Sequence, residues 1–215
     1  QSSYARNLMD DLAKLKPRLG PPRGTDSDNR CREGLICGQL YRSDVKRRQA
    51  TVFLTSITGF LGSQVLRSLL EHPQIECVIG LVRANDEEQA QAKVQQHAEL
   101  GRWWKAEYLD RIEFWTGDLS RPKLGLQDTQ WEQLFSTNST KRIDGIIHNG
   151  ARVNWIDSYE DLERVNIHST VDILSGLSRM EFPCPLIYIS GGYVPTKPES
   201  DREIAKRLSE ASGYE

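Results

Sequence analysis

Nowhere in the 215 residues does an apolar run approach the roughly 18 to 20 consecutive residues that a membrane-spanning helix requires. The best apolar stretch, Cys77-Val78-Ile79-Gly80-Leu81-Val82, has only the length of a buried strand. An excess of charge of one sign is lacking too. Lys and Arg total 28 against 30 Asp and Glu, a net charge of −2, which gives no reason to expect nucleic acid or an anionic membrane as partner. The one basic run, Lys46-Arg47-Arg48, reads as a solvated boundary ahead of the first strand. No charged region leading an apolar one marks a secretory signal, and the chain opens Gln1-Ser2-Ser3 without Met. The expectation is a fragment of something longer, located in the cytoplasm.

Cysteine is scarce as well. Of the 4 present, Cys77 and Cys184 fall in apolar surroundings where a free thiol packs as a small hydrophobe. Cys31 and Cys37 have neither zinc-ligand spacing nor a His partner, and a cytosolic reading argues against a bond between them. His72, His97, His148 and His168 are scattered without metal-ligand spacing, so packing or solvent accounts for them and no metal is expected.

What is present divides at about residue 46. Leu8, Leu12 and Leu15 share one face of a short amphipathic helix that the Pro17 to Pro22 region stops, and residues 21–45 are rich in Gly, Pro, Asp and Arg. Residues 1–45 therefore read as an N-terminal helix and linker, and 46–215 as the domain proper. From there strands and helices alternate. Strands are expected at Ala50 to Thr55, Ile75 to Val82, Ile112 to Thr116, Asp144 to His148 and Leu186 to Ser190. Helices are expected after Gly62, at about 86–100, near 129–136 and at about 159–180. Continuously apolar strands separated by helices predict an α/β fold: a doubly wound, Rossmann-type parallel sheet with helices on both faces.

The turn after the first strand, Thr55-Ser56-Ile57-Thr58-Gly59-Phe60-Leu61-Gly62, carries the chemistry. In a dinucleotide fold this turn leads into a helix whose free N–H groups and dipole hold a pyrophosphate, and small residues let backbone approach phosphate. Gly59 and Gly62 supply two of the usual three glycines, while Ser56 stands where the first belongs and would crowd the phosphate or demand a strained φ. About 20 positions on, where an NAD-specific domain places an acidic residue for the ribose hydroxyl, stands Arg83. Its planar fork suits a 2′-phosphate, which points to NADP(H). Asp118, after the third strand, is placed to meet adenine, and Asn149-Gly150-Ala151, after the fourth, offers a small-residue turn beside the nicotinamide half. Trp103, Trp104 and Trp115 read as packing residues, and Trp155 as one that could face a substrate pocket.

Together, Thr58-Gly59-Phe60-Leu61-Gly62, Leu81-Val82-Arg83-Ala84, Gly117-Asp118-Leu119, Ile147-His148-Asn149-Gly150-Ala151 and Asn166 in register resemble the thioester reductase family. These are extended short-chain dehydrogenases found as terminal domains of nonribosomal peptide and polyketide synthetases and in aminoadipate and carboxylic acid reductases. The resemblance covers about residues 50–215. It implies NADPH-dependent reductive release, to aldehyde or alcohol, of a thioester held on the phosphopantetheine arm of a carrier protein domain. That carrier would precede residues 1–45.

The resemblance also implies roles. Thr55, Ser56, Thr58, Gly59, Phe60, Leu61 and Gly62 would border the pyrophosphate, and Arg83, helped by Lys93, would clamp the 2′-phosphate. Asp118 and Leu119 would frame adenine, and Asn149, Gly150, Ala151 and Asn166 would border the ribose and nicotinamide. Catalysis would fall to Ser190 and Tyr214, which looks like the start of Tyr-x-x-x-Lys. The chain ends at Glu215, before that Lys, so a cofactor-binding fragment without the C-terminal substrate subdomain is expected. Ser190-Gly191-Gly192 departs from the usual Ser-Thr or Ser-Ser. Two other readings stay open: a redox-neutral, Dieckmann-type cyclising release domain, and a non-catalytic docking module of a megasynthetase.

Overall fold

The computed structural model describes residues 49–135, 142–154, 156–180 and 184–191. Strands β1 (Ala50–Thr55), β2 (Ile75–Val82), β3 (Ile112–Thr116), β4 (Gly145–His148) and β5 (Leu186–Tyr188) form one sheet in the order β3-β2-β1-β4-β5, every pairing parallel. Helices α1 (Phe60–Glu71), α2 (Glu87–Leu100), α3 (Asp128–Phe135), α4 (Tyr159–Glu163) and α5 (Ser169–Leu177) alternate with the strands. This is the doubly wound Rossmann arrangement that the sequence predicts. The strand order reverses between β1 and β4, and ligands of such sheets bind at the carboxyl ends of those strands.

The sheet separates two apolar layers. Successive side chains of a strand point to opposite faces, so Phe53 joins Ile79, Trp115, Leu134 and Ile173 on one side. Its neighbour Leu54 joins Leu66, Leu70, Val78, Val94 and Phe114 on the other. Trp103 and Trp115 are buried in these layers, as packing residues should be, and Cys77 is buried too. Among the described residues, no helix is long and apolar enough to cross a membrane.

Strand β4 begins at Gly145, one residue later than expected, and two further elements differ. The fifth strand ends at Tyr188, although the Ile189 N–H still donates to the His148 carbonyl at 3.0 Å. The long helix expected over 159–180 is interrupted by a π turn (Arg164–His168) between α4 and α5. Single π turns of this kind accommodate an extra residue, and they occur often at functional sites. Here side chains compete for the local carbonyls. The Ser169 hydroxyl donates to the Val165 carbonyl, and the Thr170 hydroxyl to that of Asn166 at 2.9 Å.

Candidate functional site

The two ends of α1 are finished differently. At its C-terminus, the Arg111 guanidinium donates to the carbonyls of Leu70, His72 and Ile75 at 2.5, 3.0 and 2.5 Å. At its N-terminus, Gly59 offers no side-chain cap and the first turn holds no acidic residue. The first N–H groups of a helix have no partner within it, and the dipole adds partial positive charge there. Helix α2 is the internal control: the Asp86 side chain accepts from the Gln89 N–H at 2.7 Å, and Glu87 and Glu88 occupy its first turn. The α1 end is thus left open to an anion, and the α2 end is closed.

Backbone contact holds the α1 end close to the strand turn. A Cβ on Gly62 would lie 1.9 Å from the Ser56 carbonyl oxygen and 2.9 Å from Asn149 Nδ2, so only glycine fits. Ser56 itself has φ +61°, the left-handed region expected of a first glycine. The strained φ that the sequence raises as a concern is therefore present. Phe60 is 91% exposed, so its contribution to an anion at this end is its backbone N–H.

A cleft of about 730 Å³ opens beside this turn, lined by Ser56, Thr58, Leu81, Arg83, Lys93, Gly117, Asp118, Leu119 and Ala151 among others. A neighbouring cleft of about 660 Å³ shares Arg83, Lys93, Gly117 and Asp118. The Lys93 ammonium donates to the Arg83 carbonyl at 2.8 Å, which brings both cations to the end of β2. Burial works against the Asp118 carboxylate. Two hydrogen bonds from Ser120, at 2.8 and 2.7 Å, outweigh it, and with the Arg83 and Arg121 charges they hold the carboxyl below the usual range.

Several expected residues serve the cleft from behind its surface. Thr55 is fully buried, and its hydroxyl oxygen accepts the N–H groups of Asn149 and Gly150 at 3.0 and 2.9 Å. A Cβ on Gly150 would lie 2.3 Å from Leu119 Cδ1, so a side chain there would have to displace Leu119. Asn166 lies in the π turn with its amide committed to the Arg152 backbone: Oδ1 accepts from the N–H at 2.8 Å, and Nδ2 donates to the carbonyl at 2.9 Å. Ser190 is exposed just past β5, and nothing described lies within 4 Å of a Cβ on Gly191. Tyr214, Trp155, residues 1–45 and the Cys31–Cys37 region lie outside the described residues.

Sequence reasoning passed over Gln96, His97, Arg152 and Val165, which also line the larger cleft. The first two were detectable, because Lys93, Gln96 and His97 stand at i, i+3 and i+4 and share one face of α2. Arg152 was not. It is held by Asn166 on its backbone and by Asp157, which lies 2.5 Å from its Nε, and neither contact has a signature in the spacing.

The geometry suits a dinucleotide: an uncapped helix end, a glycine that no other residue can replace, and a cleft carrying two cations at one strand end and a carboxylate at the next. Comparison with known proteins agrees. The NAD-binding family model described as "Male sterility protein" matches residues 54–212. Nonribosomal peptide synthetase 5 of Gibberella zeae is 42% identical over 180 residues, which is 84% of this chain and 2% of that protein. The solved PhqB reductase domain from Penicillium fellutanum superposes with a TM-score of 0.60 at 37% identity, over 82% of this chain and 47% of that one. The terminal R domain from the myxalamid PKS-NRPS biosynthetic pathway gives a TM-score of 0.60 at 26% identity, over 77% and 46%. The chain thus spans a small part of the synthetase and under half of each solved domain. It belongs to the NAD-binding "Male sterility protein" family, among the terminal reductase domains of nonribosomal peptide synthetases.

Proposed function

We propose that this chain is the NADP(H)-binding part of a domain that reductively releases a thioester from a carrier protein, yielding an aldehyde or alcohol. The observation that supports this most is the convergence of the strand turn at Ser56 and Thr58 with Arg83 and Lys93 in one cleft. A dinucleotide with its pyrophosphate at the open end of α1 has a 2′-phosphate within the reach of an Arg and a Lys. Among the described residues, β2 is followed by Arg83-Ala84-Asn85, with no carboxylate in that stretch to accept a 2′-hydroxyl.

In this reading Phe60, Leu61 and Gly62 bind the pyrophosphate through backbone N–H groups, with Ser56, Thr58 and Gly59 shaping the turn. Arg83 grips the 2′-phosphate through its planar fork, and Lys93 adds a second positive charge. Asp118 accepts the exocyclic amino group of adenine, and Leu119 covers the ring. Ala151 borders the nicotinamide ribose, held in place by Asn149, Gly150 and Asn166. Bound NADPH supplies the hydride. Ser190 polarises the thioester carbonyl, and Tyr214 protonates the oxygen as negative charge develops there; the resulting hemithioacetal then breaks its carbon–sulfur bond, giving the aldehyde and returning the carrier's thiol. The carrier domain delivers the substrate from the side of residues 1–45.

The test is to load a carrier domain with an acyl thioester and follow NADPH consumption by the synthetase that contains this chain. Stoichiometric consumption with release of aldehyde or alcohol is expected. Release of a cyclised product with no NADPH consumed would overturn the reductive reading.

A further inference from the structure

His148, the last residue of β4, is buried at 1% exposure, and it is joined on both sides. Its Nδ1 lies 3.0 Å from the Thr55 hydroxyl, and its Nε2 lies 3.2 Å from that of Ser169. The proton positions follow by elimination. Thr55 Oγ1 already accepts two N–H groups, from Asn149 and Gly150, so its own proton goes to His148 Nδ1. The imidazole proton is then on Nε2 and is donated to Ser169, whose hydroxyl donates in turn to the Val165 carbonyl in the π turn. Every donor and acceptor in this chain is matched once. Burial also pushes the imidazole down to about 4, which keeps the ring neutral, as the chain requires.

The chain runs from the end of β1, through the end of β4, to the π turn, and its two ends bear on the cleft. At one end Thr55 fixes the amides of Asn149 and Gly150, which immediately precede the cleft residue Ala151. At the other, Val165 is itself a cleft residue. We propose that Thr55, His148 and Ser169 form a positioning relay that sets the backbone of the turn at 149–151 for cofactor binding. The proposal rests on the cofactor reading above. Thr55 would act on the cofactor without touching it, and a residue set aside as ordinary packing would hold the two halves of the site in register.

The test uses the full 215-residue chain with Thr55→Val, Thr55→Ser and His148→Gln. Thr55→Val keeps the shape but leaves the Asn149 and Gly150 amides without an acceptor, whereas Thr55→Ser restores it. Two readouts are taken well below each variant's unfolding temperature: hydrogen exchange at the Asn149 and Gly150 amides without ligand, and NADPH affinity. Thr55→Val is expected to raise exchange at those two amides and to weaken NADPH about tenfold, part of the loss of two buried hydrogen bonds being felt at the cofactor. Thr55→Ser should return both to the wild-type values, a rescue that a general loss of stability would not give. Should Thr55→Val fail to fold, His148→Gln carries the same expectation with the Thr55 acceptor intact and its partner misplaced. Unchanged exchange and unchanged affinity in the folded variant would overturn the relay. Wild-type chain that protects the two amides but binds no NADPH would overturn the cofactor reading, and with it the relay's role in binding.

Discussion

The carbonyl oxygen of Ser56 occupies the space where a side chain on Gly62 would begin, 1.9 Å from the position of its Cβ. The turn after β1 and the first turn of α1 are therefore in backbone contact. In the proposed cofactor reading, that contact lets a phosphate reach the helix N–H groups. Gly62→Ala must push the two apart, and we expect a cost of about 3 kcal/mol, the upper range for overpacking a rigid site. Thermal unfolding of the variant checks the cost, and loss of NADPH binding should accompany it.

Ser56 gives the opposite expectation. It holds φ +61°, where an L-residue costs about 1 to 2 kcal/mol. Ser56→Gly removes that strain and loses part of the gain to the greater freedom of glycine in the unfolded chain. A net stabilisation of about 0.5 to 1 kcal/mol is expected, read as a higher midpoint in denaturant. A lower midpoint would mean that the serine side chain stabilises the turn by more than its backbone strain costs.

His148 predicts a pH dependence. Its folded value is lowered from 6.5 to about 4 by burial, so the unfolded chain takes up the proton first. The contribution is fully present above pH 6.5. It is lost as pH falls through the window from 6.5 to about 4, and totals about 3 kcal/mol. Unfolding free energies measured across that window should fall more steeply for wild type than for His148→Gln, which has no proton to take up there. Equal slopes would contradict a buried neutral imidazole.

Much of this fold was legible because its signals are local. β2 is apolar but for Glu76, and its observed bounds match the expected ones. Gly59, Gly62 and Arg83 are legible from type and spacing, because the backbone contact at Gly62 rests on one residue and Arg83 directly follows β2. The π turn was hidden, because the Ser169 and Thr170 hydroxyls that bond its carbonyls leave the helical periodicity of 159–180 unchanged. His148 was read as packing because a lone histidine at the end of an apolar strand gives no sign of its partners. Thr55 lies 93 positions away from it, and only the parallel pairing of β1 with β4 brings them together. Thr55 and Asn166, expected at the cofactor, make their contacts with the protein itself.

The most direct measurement is a paired titration of this chain and its Arg83→Ala variant with NADPH and NADH. Wild type should bind NADPH about 10 to 100 times more tightly than NADH, the worth of one charge-assisted, two-pronged contact. Arg83→Ala should remove most of that preference, Lys93 retaining the rest, and leave NADH unchanged. Equal affinity for the two cofactors in wild type, or NADPH affinity untouched by the substitution, would contradict the assignment of Arg83 to the 2′-phosphate.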